Sequence, residues 1–252
     1  MRFWRTAGVR AFVLGVVLSL AASPARAVFP LAVDDADTVP PDEFQLNAGW
    51  FYGRYERFEL QTVPVNPVFG LGPDVELGAT FGYQHRSGGP LGSSGDVTDL
   101  VLGTKWRAWH RDGLTLGGRL DVKMPSASRP RGFGTGNPDA FATVIATGCF
   151  GRTCLDFNAA YGVMDVADGD PDNDIWFLGE AVRHMLDERW TLVAEAWGQI
   201  PGGSAALPAQ FEIRGGAQWN PTSQLVVSAL VGGGAGRGSA NLVAIAGLTW
   251  TF

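Results

Sequence analysis

The stretch NLVAIAGLTWTF, Asn241 to Phe252, decides the fold of this chain. Counting back from its end, Phe252, Trp250, Leu248, Ala246, Ala244 and Leu242 share one face, while Thr251, Thr249, Gly247 and Asn241 fall on the other with Ile245 and Val243 as apolar exceptions. A period of two is the signature of a β-strand, because successive side chains point to opposite sides. Strand ends in water tend to fray, so a strand closing on a bare Phe is expected to be held in a sheet. The competing reading is the last strand of a soluble β-sandwich.

The same alternation recurs through the chain. Phe44, Leu46, Ala48, Trp50 and Tyr52 alternate with Gln45, Asn47 and Gly49, and Val75, Leu77, Ala79, Phe81 and Tyr83 alternate with Glu76, Gly78, Thr80, Gly82 and Gln84. A second strand is expected over about Arg57 to Val63, blurred by Pro64 and Pro67. Further strands are expected at about 98–109, 114–124, 139–149, 154–163, 175–184, 190–199, 210–219 and 224–231, before the last. Asp112-Gly113 marks a tight hairpin turn. From the third strand on, connections alternate long and short, the pattern of a membrane barrel with long outer loops and short periplasmic turns. Counting gives an all-β, transmembrane, antiparallel up-and-down barrel of twelve strands, in keeping with the even strand numbers of bacterial single-chain barrels; ten or fourteen stay open.

Composition agrees. The chain is 46% hydrophobic and 17% charged, with 35 Gly and 9 Trp, yet no stretch after residue 28 approaches the roughly 18 apolar residues of a membrane helix. Apolar residues dispersed in alternation suit a barrel whose outside meets lipid and whose closure leaves no unpaired edge. Inward glycines at 78, 82, 103 and 117 suit a small barrel that must curve and leave internal space. A net charge of −6 argues against a nucleic-acid role.

At the other end, Arg2, Arg5 and Arg10 precede an apolar run from Ala11 to Ala22 and an A-x-A site at Ala25 and Ala27. This predicts a signal peptide over residues 1–27. Residues 28–41, with Asp34, Asp35, Asp37 and three prolines, show no periodicity and are expected as a periplasmic lead-in to a barrel over 42–252. A final Phe, an aromatic two residues before it and a Gly further back resemble the C-terminal signal of bacterial outer-membrane barrels. That resemblance implies Trp250 and Phe252 as a membrane-insertion signal read by the barrel-insertion machinery and an outer-membrane location with lipid around the barrel, while the long–short alternation of the connections is expected to put both termini in the periplasm.

The charged residues are the functional clue. Lys105 and Arg107 share a face of one strand, and Arg119, Asp121 and Lys123 a face of the next. A Lys or Arg on the lipid face at mid-membrane costs about 2–4 kcal/mol, so these side chains are expected to point inward as a basic ladder. Glu76, Asp156, Glu195 and Glu212 are expected to oppose it, with Arg214 a further base. Two readings of this lining stay open: a charge-tuned, solute-conducting pore, or a salt-bridged plug that holds a narrow barrel shut.

The segment Gly95 to Trp109, GDVTDLVLGTKWRAW, followed by LGGRLDVKMPSAS and GFGTGNPD, resembles the outer-membrane channel family named for the meta-pathway of phenol degradation. The likeness is carried by Gly95-Asp96, Asp99-Leu100, Gly103, Lys105, Lys123-x-Pro125 and Gly134-Thr135-Gly136; Ser126-Ala127 departs from the usual Thr-Gly. It implies a transport barrel for small solutes, hydrophobic or aromatic ones among them, taken up passively. The alternatives are a structural or adhesion barrel without transport and an outer-membrane lipid hydrolase; no Ser and His are placed as a nucleophile–base pair, so no enzyme, catalytic residue, metal or cofactor is expected. Cys149 and Cys154 flank a short turn at a hairpin end and predict a disulfide in an oxidising compartment. The acidic run Asp168 to Asp174 is expected as a solvated loop rather than a Ca²⁺ site.

Overall fold

The computed structural model describes residues 29–89, 92–164, 174–202, 209–236 and 238–252. The expected signal peptide and most of the acidic loop lie outside these residues. The described chain is built from β1 (Phe44–Arg54), β2 (Phe58–Gly72), β3 (Val75–Gly88), β4 (Ser94–Val97), β5 (Leu100–Arg111), β6 (Leu114–Met124), β7 (Asp139–Phe150), β8 (Thr153–Met164), β9 (Asp174–Met185), β10 (Trp190–Pro201), β11 (Gln210–Trp219), β12 (Leu225–Ala235) and β13 (Leu242–Thr251). The strands pair antiparallel around the wall, and β1 closes on β13. β4 and β5 both pair with β3 and continue one another across Thr98 and Asp99, so the wall is a closed barrel of twelve strands.

The wall faces both ways as the alternation requires. Leu77, Leu102, Leu120, Phe157, Leu192 and Ile213 are exposed on the outside. Trp109, Trp190, Trp219 and Trp250 mark the short-turn end, and Trp50, Tyr83, Tyr161 and Trp176 the loop end, the paired aromatic girdles of a membrane barrel. The inner face is polar, with Asn47, Thr115, Thr147, Gln218, Ser228 and Thr249 buried on it.

Three sequence expectations need correction. β2 does not stop near Val63 but runs through Pro64 and Pro67. Proline removes ladder donors, and pairing lapses near both: β1–β2 skips Gly49 and Trp50, and β2–β3 skips Asn66 and Pro67. Asn66 compensates, donating from Nδ2 to the Ala79 carbonyl and accepting from Asn47. The fourth expected strand, 98–109, begins only at Leu100 and is preceded by the short β4; at the break between them the Leu100 amide donates to Ser126 Oγ and the Asp99 carboxylate accepts the Ala127 amide, both from the β6–β7 connection.

The third correction concerns the lead-in. Residues 29–43 are not free in the periplasm: they fold into the barrel from the short-turn end, where Val33 and Ala36 are 0% exposed. An extended segment without a sheet partner must satisfy its amides elsewhere, and the inner wall supplies the acceptors. Ala32 and Val33 donate to Glu195 Oε2 (2.7 and 3.1 Å), Asp34 to Asn158 (2.8 Å), Ala36 to Thr147 (3.0 Å) and Val39 to Glu76 Oε2 (2.6 Å). Those acceptors stand on β10, β8, β7 and β3, so the segment crosses the lumen.

Candidate functional site

The site is the mid-barrel lumen and the tip of the segment inside it. β5 and β6 set Lys105 opposite Arg119, and β3 sets Glu76 opposite Lys105. Alternation turns all three inward. Lys105 Nζ lies 3.2 Å from Asp34 Oδ1, 3.4 Å from Glu76 Oε1 and 3.8 Å from Asp35 Oδ1. Arg119 holds Asp121 through Nε (2.8 Å) and Asp34 through Nη1 (3.2 Å). Arg183 on β9 grips Asp156 of β8 through Nε at 2.7 Å and Nη2 at 3.0 Å, and reaches Asp35 at 3.3 Å. Asp34 and Asp35 thus tie walls on both sides of the lumen together.

A second cluster lies nearby. Arg214 pairs with Glu212 (2.6 Å) and Glu195 (3.2 Å), and its guanidinium sits 5.2 Å from the Phe51 ring centre and 5.3 Å from that of Trp197, cation–π geometry that adds to the ion pairs. A third cluster closes the loop end, where Lys123 pairs with Asp139 and, at 3.1 Å, Asp99, and donates to Thr135 at 2.8 Å.

Charge in the segment follows from these neighbours. Burial acts to raise the Asp34 carboxyl, but Lys105 and Arg119 outweigh it and hold it below the ordinary carboxylate range. Burial pushes Asp35 up to about 7, with Asp34 and Asp156 adding to the rise and Arg183 and Lys105 opposing it.

The arrangement differs from a basic wall facing an acidic one. Glu76 is on the strand next to Lys105 rather than on the far wall of the lumen, Asp121 is beside Arg119, and Glu195 and Glu212 are beside Arg214. Arg107 stands at the short-turn rim with Asp74 (2.8 Å) and Asp37 (3.7 Å). Each ladder cation is therefore compensated by an acid close by: Lys105 and Lys123 by register partners on the next strand, Arg119 by Asp121 two residues along its own strand, and Arg107 by Asp74 in the adjoining turn. Sequence reasoning missed Arg183, and it placed Asp34 and Asp35 in a periplasmic lead-in without a role; their proximity to the wall is long-range, and no local pattern carries it. Cys149 and Cys154 are directly paired across the β7–β8 hairpin and bonded, with Cα atoms 4.1 Å apart.

The segment divides the lumen. A cavity of about 340 Å³ lies on the loop side, lined by Arg119, Asp121, Phe141, Ile145, Phe177 and Gln199 among others; one of about 180 Å³ lies on the short-turn side. Ala32, Asp34 and Arg119 border both.

Comparison with known proteins places this geometry. An outer membrane channel from Pseudomonas putida F1 is similar in structure, with a TM-score of 0.71 and 14% identity over 88% of this chain and 100% of that one. The KdgM porin gives 0.56 and 6% over 82% and 99%. The translocator domain of the autotransporter NalP from Neisseria meningitidis gives 0.54 and 12% over 98% of each chain. At these identities the likeness establishes the outer-membrane barrel fold. No curated protein matches the chain. A family model described as "Putative MetA-pathway of phenol degradation" matches residues 30–252, nearly all of the barrel and the segment inside it, and the chain belongs to that family.

Proposed function

We propose that the protein is an outer-membrane channel for passive uptake of small solutes, aromatic and hydrophobic ones among them, with both termini periplasmic and the segment 29–43 as its internal gate. One observation carries the reading: the lumen holds cavities on both sides of a non-covalent barrier anchored by ion pairs and side-chain acceptors, not by strand pairing. A barrel serving only as a wall or adhesin needs no such cavities. Phe141 and Phe177 give the loop-side cavity an apolar surface for a ring, and Gln199 and Thr143 offer polar contacts. Lipid surrounds the barrel, and the β13 strand with Trp250 and Phe252 engages the insertion machinery.

The test is single-channel recording of refolded protein in a planar bilayer, with and without phenols and aromatic acids, alongside solute uptake into liposomes. Intermittent conductance altered by these solutes, or solute entry above empty-liposome controls, is the expected result. A folded barrel that neither conducts nor admits aromatic solutes overturns the reading and leaves the structural alternative.

A further inference from the structure

A single carboxylate bridges two cations in the middle of the barrel. Asp34 places Oδ1 3.2 Å from Lys105 Nζ and Oδ2 3.2 Å from Arg119 Nη1, and those two residues are register partners on β5 and β6. This carboxylate is surplus to the wall's own balance. Lys105 already has Glu76, Arg119 has Asp121 and Arg183 has Asp156, so with the segment withdrawn the three wall cations still face three wall anions. The Lys105–Arg119 pair nevertheless accepts one carboxylate more, because two adjacent cations act on it at short range in a lumen of reduced dielectric.

The bridge is open to the loop side. The Asp34 side chain is 24% exposed and that of Arg119 30%, and both border the cavity of about 340 Å³. Away from the charges, that cavity is lined by Phe141, Ile145 and Phe177, with Thr143 and Gln199 as uncharged polar groups.

We propose that the Lys105–Arg119 pair is a binding site for a small organic monocarboxylate, that Asp34 occupies it as the chain's own surrogate ligand, and that a carboxylate arriving from the loop side displaces the tip of the segment. The binding claim stands on this geometry alone; only the consequence of displacement rests on the channel reading. An incoming carboxylate replaces Asp34 charge for charge and oxygen for oxygen, and its apolar remainder lies against Phe141 and Phe177. A neutral amide of the same shape does not restore the bridge, and an amine meets two cations. The tethered Asp34 competes at high local concentration, so affinity in the intact chain is reduced by the small fraction of time the site is vacant.

The experiment is calorimetric titration of benzoate, benzamide and benzylamine into the folded barrel in detergent micelles, with folding checked by heat-modifiable gel migration. Wild type is compared with Asp34→Ala, Asp34→Asn and the double variant Asp34→Ala/Arg119→Gln. Benzoate is expected to bind Asp34→Ala about tenfold or more tightly than wild type, since removing the competitor raises the vacant fraction. Benzamide and benzylamine are expected to be unaffected, and Arg119→Gln to abolish the gain. Should Asp34→Ala fail to fold, Asp34→Asn, which keeps the side chain's size, carries the same comparison. Equal benzoate affinity in wild type and the Asp34 variants, or a matching gain for benzamide, overturns the proposal. The two readings fail separately: benzoate selectivity in a barrel that never conducts removes the channel and keeps the site, whereas conduction without benzoate preference removes the site and keeps the channel.

Discussion

Glu76 and Lys105 stand directly opposite one another on β3 and β5, with Oε1 3.4 Å from Nζ, while Oε2 of the same carboxylate accepts the Val39 amide at 2.6 Å. One side chain thus joins a wall cation to the segment inside the barrel. Its two oxygens have separable roles. Glu76→Gln keeps an acceptor for Val39 and loses the charge, whereas Glu76→Ala loses both and leaves a buried amide without a partner. Because Lys105 keeps Asp34 and Asp35, Glu76→Gln is expected to cost about 1 kcal/mol and Glu76→Ala about 3 kcal/mol. Urea unfolding of the two variants in micelles, followed by Trp fluorescence, checks the order.

The carboxyl of Asp35 links docking of the segment to pH. Arg183 of β9 and Lys105 of β5 face it as cations; Asp156 of β8, Glu76 of β3 beyond Lys105, and Asp34 and Asp37 of its own segment are the nearby acids. Docking raises this carboxyl from 3.8 to about 7, so the docked state binds a proton that the released state does not. Docking is therefore weakest above pH 7 and tightens by up to about 1.4 kcal/mol per pH unit as pH falls toward 4. Asp34, held low, acts oppositely and loosens the segment only when pH falls below the ordinary carboxylate range. Conductance is expected to be lower at about pH 5.5 than at about pH 8.5, and Asp35→Asn to flatten that dependence. An unchanged pH profile in Asp35→Asn removes this assignment.

Space for the segment is made partly by a missing side chain. A Cβ on Gly179 would stand 2.7 Å from Val33 Cγ2, and Val33 is fully buried. Gly179→Ala is expected to crowd Val33 and weaken docking by about 1–3 kcal/mol without altering any charge. In an Ala36→Cys background the added thiol is unique, since Cys149 and Cys154 are bonded to each other. Maleimide labelling of that introduced thiol is expected to quicken several-fold when Gly179→Ala is added at fixed pH.

The seam between first and last strands depends on Phe252. Its amide donates to the Phe44 carbonyl (2.8 Å) and its carbonyl accepts from Phe44 (3.3 Å), with the rings 5.6 Å apart and Trp250 4.4 Å away. β13 joins β12 to β1, and an open edge in lipid leaves backbone groups unsatisfied. Phe252→Ser keeps those backbone hydrogen bonds but removes the ring that packs on both Phe44 and Trp250, and is expected to cut the yield of heat-modifiable, folded barrel several-fold; Trp250→Ala, which leaves the Phe252–Phe44 ring contact across the seam, is expected to reduce it less.

Strand identity and facing were legible in the sequence because alternation is a local code: each inward or outward choice is written in the chemistry of one residue and its neighbours two positions away. The limits of β6 and β11, the inward set of Lys105, Arg119, Asp121 and Lys123, and the pairing partners Cys149 and Cys154 could all be read that way. The broken strand at Thr98–Asp99 and the extension of β2 through Pro64 and Pro67 could not, since each depends on a side chain that supplies or takes a hydrogen bond from another element.

What the sequence by itself determined is the barrel: an apolar face every second residue, turns at regular intervals and a closing strand. What only the tertiary structure decided is how the charges are used. Register sets Glu76 beside Lys105 and Asp156 beside Arg183, and closure gathers β3, β5, β6, β7, β8, β9 and β10 around a segment that has no periodicity of its own. Asp34 and Asp35 are distant in sequence from every residue they meet on the wall; they form ion pairs there because a closed barrel brings those cations within reach, where the reduced dielectric makes the contacts strong.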